Sequence, residues 1–313
     1  MFEETNKYFV ILSLLSFFFI LFLIREYILE YYGGNLRESF IQEPPFIVKR
    51  NENTYDEFSS KIYDKIFHPE KESYYIVDKV FNLTEPNPEF TTILDIGCGT
   101  GELLHHLDEK GYTNIYGLDK SLYMASKCIE KYNSLKVKVG DTNEPMTFEK
   151  SSFTHIFCVG MTIYEIKDKI TFFRNCYFWL KPNSFLILHL VNRNSFNTII
   201  QVESPILFGN IIDNNPQQYS KTRITNTEVD FNGFKYKSSY DFTNTDIVVF
   251  TETFIDKASS KIRKNERELH MSNDMDSILY DAQYCGFIVT GQITYEAYNG
   301  DENQFIIILE RPN

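Results

Sequence analysis

The 313-residue sequence lacks any Cys-x-x-Cys pair. Its five cysteines, Cys98, Cys128, Cys158, Cys176 and Cys285, are scattered and odd in number, which speaks against a disulfide framework and against a paired-thiolate zinc site. Most fall in segments that read as buried strand or helix, where cysteine serves as a small hydrophobe. A reducing compartment follows, and no metal is expected. An excess of basic charge is lacking too. The net charge of −12 disfavours phosphate-backbone binding as the main activity, so nucleic acid is an unlikely partner, although a local basic groove stays compatible with it. Internal repeats and low-complexity tracts are absent. What remains is ordinary for a globular chain, with 43% hydrophobic and 24% charged residues and length enough for one large domain or two small ones. The 28 Phe and 21 Tyr accompany abundant Ile, Asn and Lys. That is the bias of an AT-rich coding sequence and carries little functional weight.

Charge is missing from one stretch in particular, Tyr8 to Ile24. As a helix it would reach about 25 Å, the short end of a membrane span. A cleaved signal peptide competes with that reading. The run is longer than a usual signal core, Glu3 and Glu4 precede it, and no small-x-small cleavage site follows. A helix this apolar on all sides is rare in a soluble core. The expectation is therefore an N-terminal membrane anchor over residues 1–30 with its span at about 8–24. Lys7 lies before the span and Arg25, Arg37, Lys49 and Arg50 after it, which puts the bulk of the chain in the cytosol. Residues 31–54, with Gly33-Gly34 and Pro44-Pro45, read as a linker.

The most informative stretch is Leu94-Asp95-Ile96-Gly97-Cys98-Gly99-Thr100-Gly101. A short apolar, β-prone run suits a strand buried on both faces of a parallel sheet. Alternate glycines follow, and then a helix-compatible run from Glu102. Glycine permits positive φ and lets backbone approach a ligand, and a helix N-terminus beside it makes a ligand site. Asp95 ahead of the turn repels phosphate and welcomes a cation.

Strand and helix alternate from there. Apolar spacing over Tyr55 to Phe81 marks two helices broken near His68-Pro69, packed over or beside the glycine turn. Strands are expected at 114–118, 135–139, 154–159 and 184–191, with helices at 102–110, from the Ser121 cap to about Tyr132, and at 167–180. Such alternation means a doubly wound, mostly parallel sheet. Between Asn192 and Met271 it breaks into alternating strands at 234–242 and 247–254 and a further pair near 261–263 and 266–271, an antiparallel insertion. A helix ending at Gly286 and two strands, 287–296 and 304–310, close the chain. Asn299-Gly300-Asp301 between those strands is a hairpin signal.

Ligand-ready residues recur at successive strand ends: the glycine turn, Gly117-Leu118-Asp119-Lys120-Ser121, Gly140-Asp141-Thr142 and Val159-Gly160-Met161. With these motifs the chain resembles the class I S-adenosylmethionine-dependent methyltransferases, from about Tyr55 to its end. The resemblance implies a Rossmann-like, seven-stranded α/β fold over 55–313, with the 192–271 insertion on the substrate side. It implies S-adenosyl-L-methionine as cofactor. Asp95, Gly97, Cys98, Gly99 and Gly101 would hold its methionine part, Asp119 and Lys120 its ribose, and Asp141 and Thr142 its adenine. Cys158, Val159 and Gly160 would flank the sulfonium, and Met161 to Tyr164 would face the acceptor. Tyr164 stands where many relatives carry His; it and His189 are candidate substrate residues, and no catalytic residue is assigned.

Each feature has a plainer counterpart. A nicotinamide oxidoreductase would show G-x-G-x-x-G rather than G-x-G-x-G after an acid. Asp119 and Asp141 could be turn residues, Tyr164 a packed aromatic, and His189 or His270 structural rather than a base. Lys257, Lys261, Arg263, Lys264 and Arg267 are offset by Asp256, Glu266 and Glu268 and read as a solvated hairpin. A non-catalytic binding or scaffold protein would share the same cofactor site. No Asn-Pro-Pro-Tyr-type tetrapeptide follows the fourth strand, which disfavours base or amide N-methylation. The acceptor is left as a small molecule, lipid or protein, with the anchor adding weight to a lipid-like one.

Overall fold

The computed structural model describes residues 15–24, 44–200, 222–271 and 275–313. Its centre is β2 (Ile93–Ile96), every residue of which is buried. Parallel partners lie on both sides: β3 (Ile115–Asp119) and then β4 (Lys136–Val139) on one, β5 (Phe153–Cys158) and then β6 (Leu180–Val191) on the other. Beyond β6 the sheet turns antiparallel with β12 (Asp301–Arg311), and β11 (Ile288–Tyr295) forms the edge. The order is β11-β12-β6-β5-β2-β3-β4. Strand order reverses between β2 and β5, which is where open α/β sheets hold ligands.

Period-2 alternation divides the core. Leu94 and Ile96 join Phe172, Phe173 and Trp179 of α6 (Lys169–Trp179) and Ile278 and Ala282 of α7 (Asp276–Tyr284) on one face. Ile93 joins Ile76 and Val77 of α3 (Pro69–Thr84), Leu104 of α4 (Glu102–Glu109) and Cys128 of α5 (Leu122–Lys131) on the other. Ser121 caps α5 by accepting from Met124 N at 3.1 Å, as its sequence signature says. The 57–84 segment breaks at His68, whose φ is 45°, just before Pro69, giving α2 (Glu57–Phe67) and α3.

The insertion forms a second sheet, β1-β10-β9-β8-β7. Its strands are β7 (Asn226–Asp230), β8 (Phe234–Asp241), β9 (Ile247–Asp256) and β10 (Ile262–His270), all antiparallel, with β1 (Phe46–Arg50) added parallel to β10. Phe58, Ile62 and Ile66 of α2 pack on Phe234, Tyr236 and Phe254, so α2 lies against this sheet.

Three expectations need correction. Residues 46–50, read as part of a 31–54 linker, are a strand. The two short strands near 261–271 are the single strand β10. The hairpin signal at 299–301 holds: β11 and β12 pair antiparallel, and their connection carries a one-turn helix, α8 (Glu296–Asn299), ending on Gly300 at φ 74°. The solvated-hairpin reading fails for Arg263 and Arg267, which are 1% and 8% exposed, because alternation along β10 turns Arg263, Asn265 and Arg267 inward together. As to the anchor, residues 15–24 are helical (α1) and every one is exposed, while 8–14 lie outside the described residues. Among the described residues no helix is long and apolar enough to cross a membrane.

Candidate functional site

The turn after β2 is held from beneath. Gly97 N and Cys98 N both donate to Leu118 O, at 2.7 and 3.3 Å, tying the turn to the end of β3. Gly97 (φ 71°) lies under Thr162, and a Cβ there would come within 2.6 Å of Thr162 Cγ2. Gly101 (φ 91°) is closed in the same way by Cys128 Sγ at 2.3 Å. Gly99 differs: its φ is 52°, and a Cβ would meet nothing nearer than 4.0 Å. Two glycines are thus required by packing, and the third leaves open backbone for a ligand. Cys98 is buried with its sulfur over Gly117, so it offers the site only its backbone.

Asp95 is 3% exposed, and no hydrogen bond or ion pair to its carboxyl is present among the described residues. Burial, reinforced by the charge of Asp119, pushes its pKa well up. A buried carboxyl without a partner is costly, and a cationic ligand relieves that cost. Asp119, at the end of β3, accepts from Gly99 N at 2.9 Å through one oxygen and from Ser121 N at 2.8 Å through the other. Each oxygen keeps a lone pair for a further donor. Burial raises Asp119 to about 6 against the pull of those two N–H groups, and nearby Glu165 adds to the rise.

At the end of β4, Asp141 accepts from Asn143 N at 2.9 Å and pairs with Lys120 Nζ at 3.1 Å. Burial works to raise it, but these partners hold it below the usual carboxylate range. Beside it, Thr142 Oγ1 and Asn143 Oδ1 are buried with no hydrogen-bond partner among the described residues, a pair of polar atoms that a water or a polar ligand would satisfy. After β5, Val159 O accepts from Thr162 N and Thr162 Oγ1, at 3.2 and 2.7 Å. Gly160 (φ 59°) has open space above it. The glycine turn, Asp119, the Asp141 pair and the Val159-Gly160 edge therefore line the same end of the parallel sheet.

Tyr164 and His189 lie elsewhere in character. Tyr164 is 2% exposed, and its hydroxyl accepts from Val191 N at 2.8 Å, a contact that pins the 162–164 turn to β6. His189 is buried against Tyr295, with Nε2 3.0 Å from Gln304 Oε1 and Nδ1 3.6 Å from Glu72.

A second group adjoins the turn. Tyr55 O accepts from Ser121 Oγ at 2.5 Å, and its hydroxyl donates to Glu165 at 2.5 Å. Arg267 reaches the Tyr55 hydroxyl, Glu165 at 3.3 Å and Glu252 at 3.1 Å. Asp64 of α2 accepts from Thr100 Oγ1 at 2.5 Å and pairs with Lys131 at 2.6 Å. Sequence reading missed Tyr55, Glu165, Glu252 and Arg267. Only the period-2 placing of Arg263, Asn265 and Arg267 could have hinted at one of them.

Residues 93–183 match the family model described as a methyltransferase domain. Phosphoethanolamine N-methyltransferase 1 of Triticum aestivum is 31% identical over 100 residues, 31% of this chain and 20% of that protein. Phosphoethanolamine N-methyltransferase of Plasmodium falciparum is 26% identical over 145 residues, 44% of this chain and 53% of that protein. The chain thus spans about a fifth of the first relative's length and half of the second's. Among solved structures, an S-adenosylmethionine-dependent methyltransferase from Clostridium acetobutylicum superimposes with TM-score 0.58 at 18% identity, over 83% of this chain and all of that one. The sugar N-methyltransferase KedS8 from Streptoalloteichus gives TM-score 0.55 at 17% identity, over 81% and 91%. These structural likenesses show the fold. The strand order, the acids at the ends of β2, β3 and β4, and the family match agree on a methyltransferase domain over residues 93–183.

Proposed function

We propose that this chain is an S-adenosylmethionine-dependent methyltransferase whose acceptor is a small polar molecule. The observation that carries the reading is Asp95, a buried carboxyl without a partner among the described residues, in line with Asp119 at the next strand end. Asp95 would neutralise the cationic amino group of the methionine part. Gly97, Gly99 and Gly101 would present backbone to it, and Cys98 would do the same through its own backbone. Asp119 would accept from the ribose hydroxyls, with Lys120 at its rim. Asp141, Thr142 and the unpartnered Asn143 Oδ1 would take the adenine edge. Val159 and Gly160 would border the sulfur. The bound group supplies an activated methyl carbon. The chain's part is to hold the acceptor in line with it and exclude water.

The relatives named for phosphoethanolamine and sugar N-methylation make amine nitrogens the first acceptors to try. We also propose a membrane anchor at about 8–24 with the domain in the cytosol. It is supported by the uncharged run and by the exposure of Phe17, Phe18, Phe19 and Ile20 at 53–63%. Asp119→Ala should weaken S-adenosylhomocysteine binding at least tenfold in calorimetry, the equivalent of about 1.4 kcal/mol or more. Unchanged affinity would refute the cofactor assignment.

A further inference from the structure

The five-stranded sheet has two faces of different character. α2 packs on one of them. On the other, strand register sets Phe46, Ile262, Ile255 and Lys235 in a row from β1 to β8, and Val48, Lys264, Thr253 and Lys237 in the next row. No residue of either row is buried, and Phe46 is 59% exposed. The turn joining β9 to β10 continues the same end of the sheet, flanked by Lys257 and Lys261. Apolar side chains and lysines therefore share one corner.

Charge is divided along the length of this face. The carboxylates that complete the two rows, Asp230 and Glu228, lie on the edge strand β7 and pair with Lys257 and, at 3.0 Å, with Lys237. Asp256, at the base of the turn, is buried and accepts from Ser259 N at 2.7 Å. The lysines of the corner outnumber its surface acids. Toward the other end the balance reverses: Glu266 draws on Lys264 at 2.7 Å, and Glu268 and Asp241 share the row beyond it. A chain of net charge −12 is repelled as a whole by an anionic surface, so the favourable approach is by the corner where its lysines gather. There the ammonium groups meet lipid headgroups while their methylenes lie along apolar surface.

The corner also stands where the chain enters the sheet. β1 begins at Phe46, and the uncharged run that ends at Ile24 precedes it. With that run held in a bilayer, the corner stays near the lipid, and a contact too weak to bind alone becomes effective. Two modest signals together make a stable attachment.

We infer that this outer corner of the five-stranded sheet docks on an anionic lipid bilayer, with Phe46 at the acyl boundary and the lysines of β8, β10 and the 257–261 turn on the headgroups. The inference rests on the membrane anchor proposed above and adds an orientation to it, because α2, on the opposite face of the sheet, is then turned away from the lipid.

The test uses the full chain on phosphatidylcholine vesicles with and without phosphatidylserine. The one tryptophan, Trp179, is fully buried, so Phe46→Trp places a separable reporter at the corner. Acyl-brominated lipid should quench that reporter roughly twofold or more in phosphatidylserine vesicles and leave it unquenched in pure phosphatidylcholine. Adding Lys235→Glu and Lys257→Glu should abolish the quenching while the protein still floats with the vesicles. In the unmodified chain, amide hydrogen exchange of the 257–261 turn should slow only with phosphatidylserine present, a comparison that needs no variant to fold. Flotation without quenching or slowed exchange overturns the docking and leaves the anchor standing. Equal quenching on both lipids overturns it as well, since charge would not be holding the corner. Slowed exchange that depends on protein concentration and needs no lipid would assign the face to a second copy of the chain, again overturning it. Quenching with phosphatidylserine but no flotation on phosphatidylcholine keeps the docking and removes the anchor, and no binding to either vesicle removes both.

Discussion

Asp119 answers to opposing influences. Its burial favours the neutral acid, and the N–H groups of Gly99 and Ser121 favour the anion, with the balance at about 6. Hydroxyl donors from a ribose bind the anion better, since a protonated carboxyl turns one oxygen into a donor. The sign follows from linkage. Above about 6 the group is ionised and cofactor affinity should be level. Below it, affinity should fall by up to about tenfold per pH unit as a proton must first be removed. Calorimetry with S-adenosylhomocysteine between about pH 5 and pH 8 reads this directly, and in Asp119→Asn the slope should vanish. A wild-type affinity that stays flat across that range would mean Asp119 does not touch the ligand. This residue, Asp95 and Asp141 were legible in the sequence because each sits within a local strand–turn unit whose signals are contiguous.

At the scale of elements, β10 teaches the opposite lesson. Its string of charges balances to near neutrality, so it reads as solvated, yet alternation separates two faces. Lys264 and Glu266 pair at the surface, and Arg267 faces inward between carboxylates. Arg267→Ala should cost about 3–5 kcal/mol, since it strands buried charges. Lys264→Ala, one strand face away, should stay within about 0.5 kcal/mol. Chemical denaturation of the two variants makes the comparison, and equal effects would show that Arg267 is not the keystone of the pair network. No local pattern could have announced this group. Tyr55 lies 110 residues from Glu165, and Arg267 lies 102 residues beyond that, so only the folded chain brings them together. The same distance hid β1, whose five residues look like linker until β10 is placed beside them.

The whole molecule joins a seven-stranded sheet that carries the glycine turn to a five-stranded sheet, with α2 packed on the latter. The proposed anchor would set this assembly at a bilayer surface. Removing the first 30 residues should release the protein from membranes in a flotation gradient, and continued flotation of the shortened chain would locate the attachment elsewhere. One further consequence follows from β1, which pairs Phe46 with Ile262 and Arg50 with Glu266. A growing chain emits β1 ahead of its partner in β10 by 216 residues. Until then this edge and the Tyr55 segment after it have nothing to close upon. The glycine turn and the parallel strands β2 to β6 can be in place while the second sheet still lacks β10, and β11 and β12, which follow β10, close the seven-stranded sheet last of all.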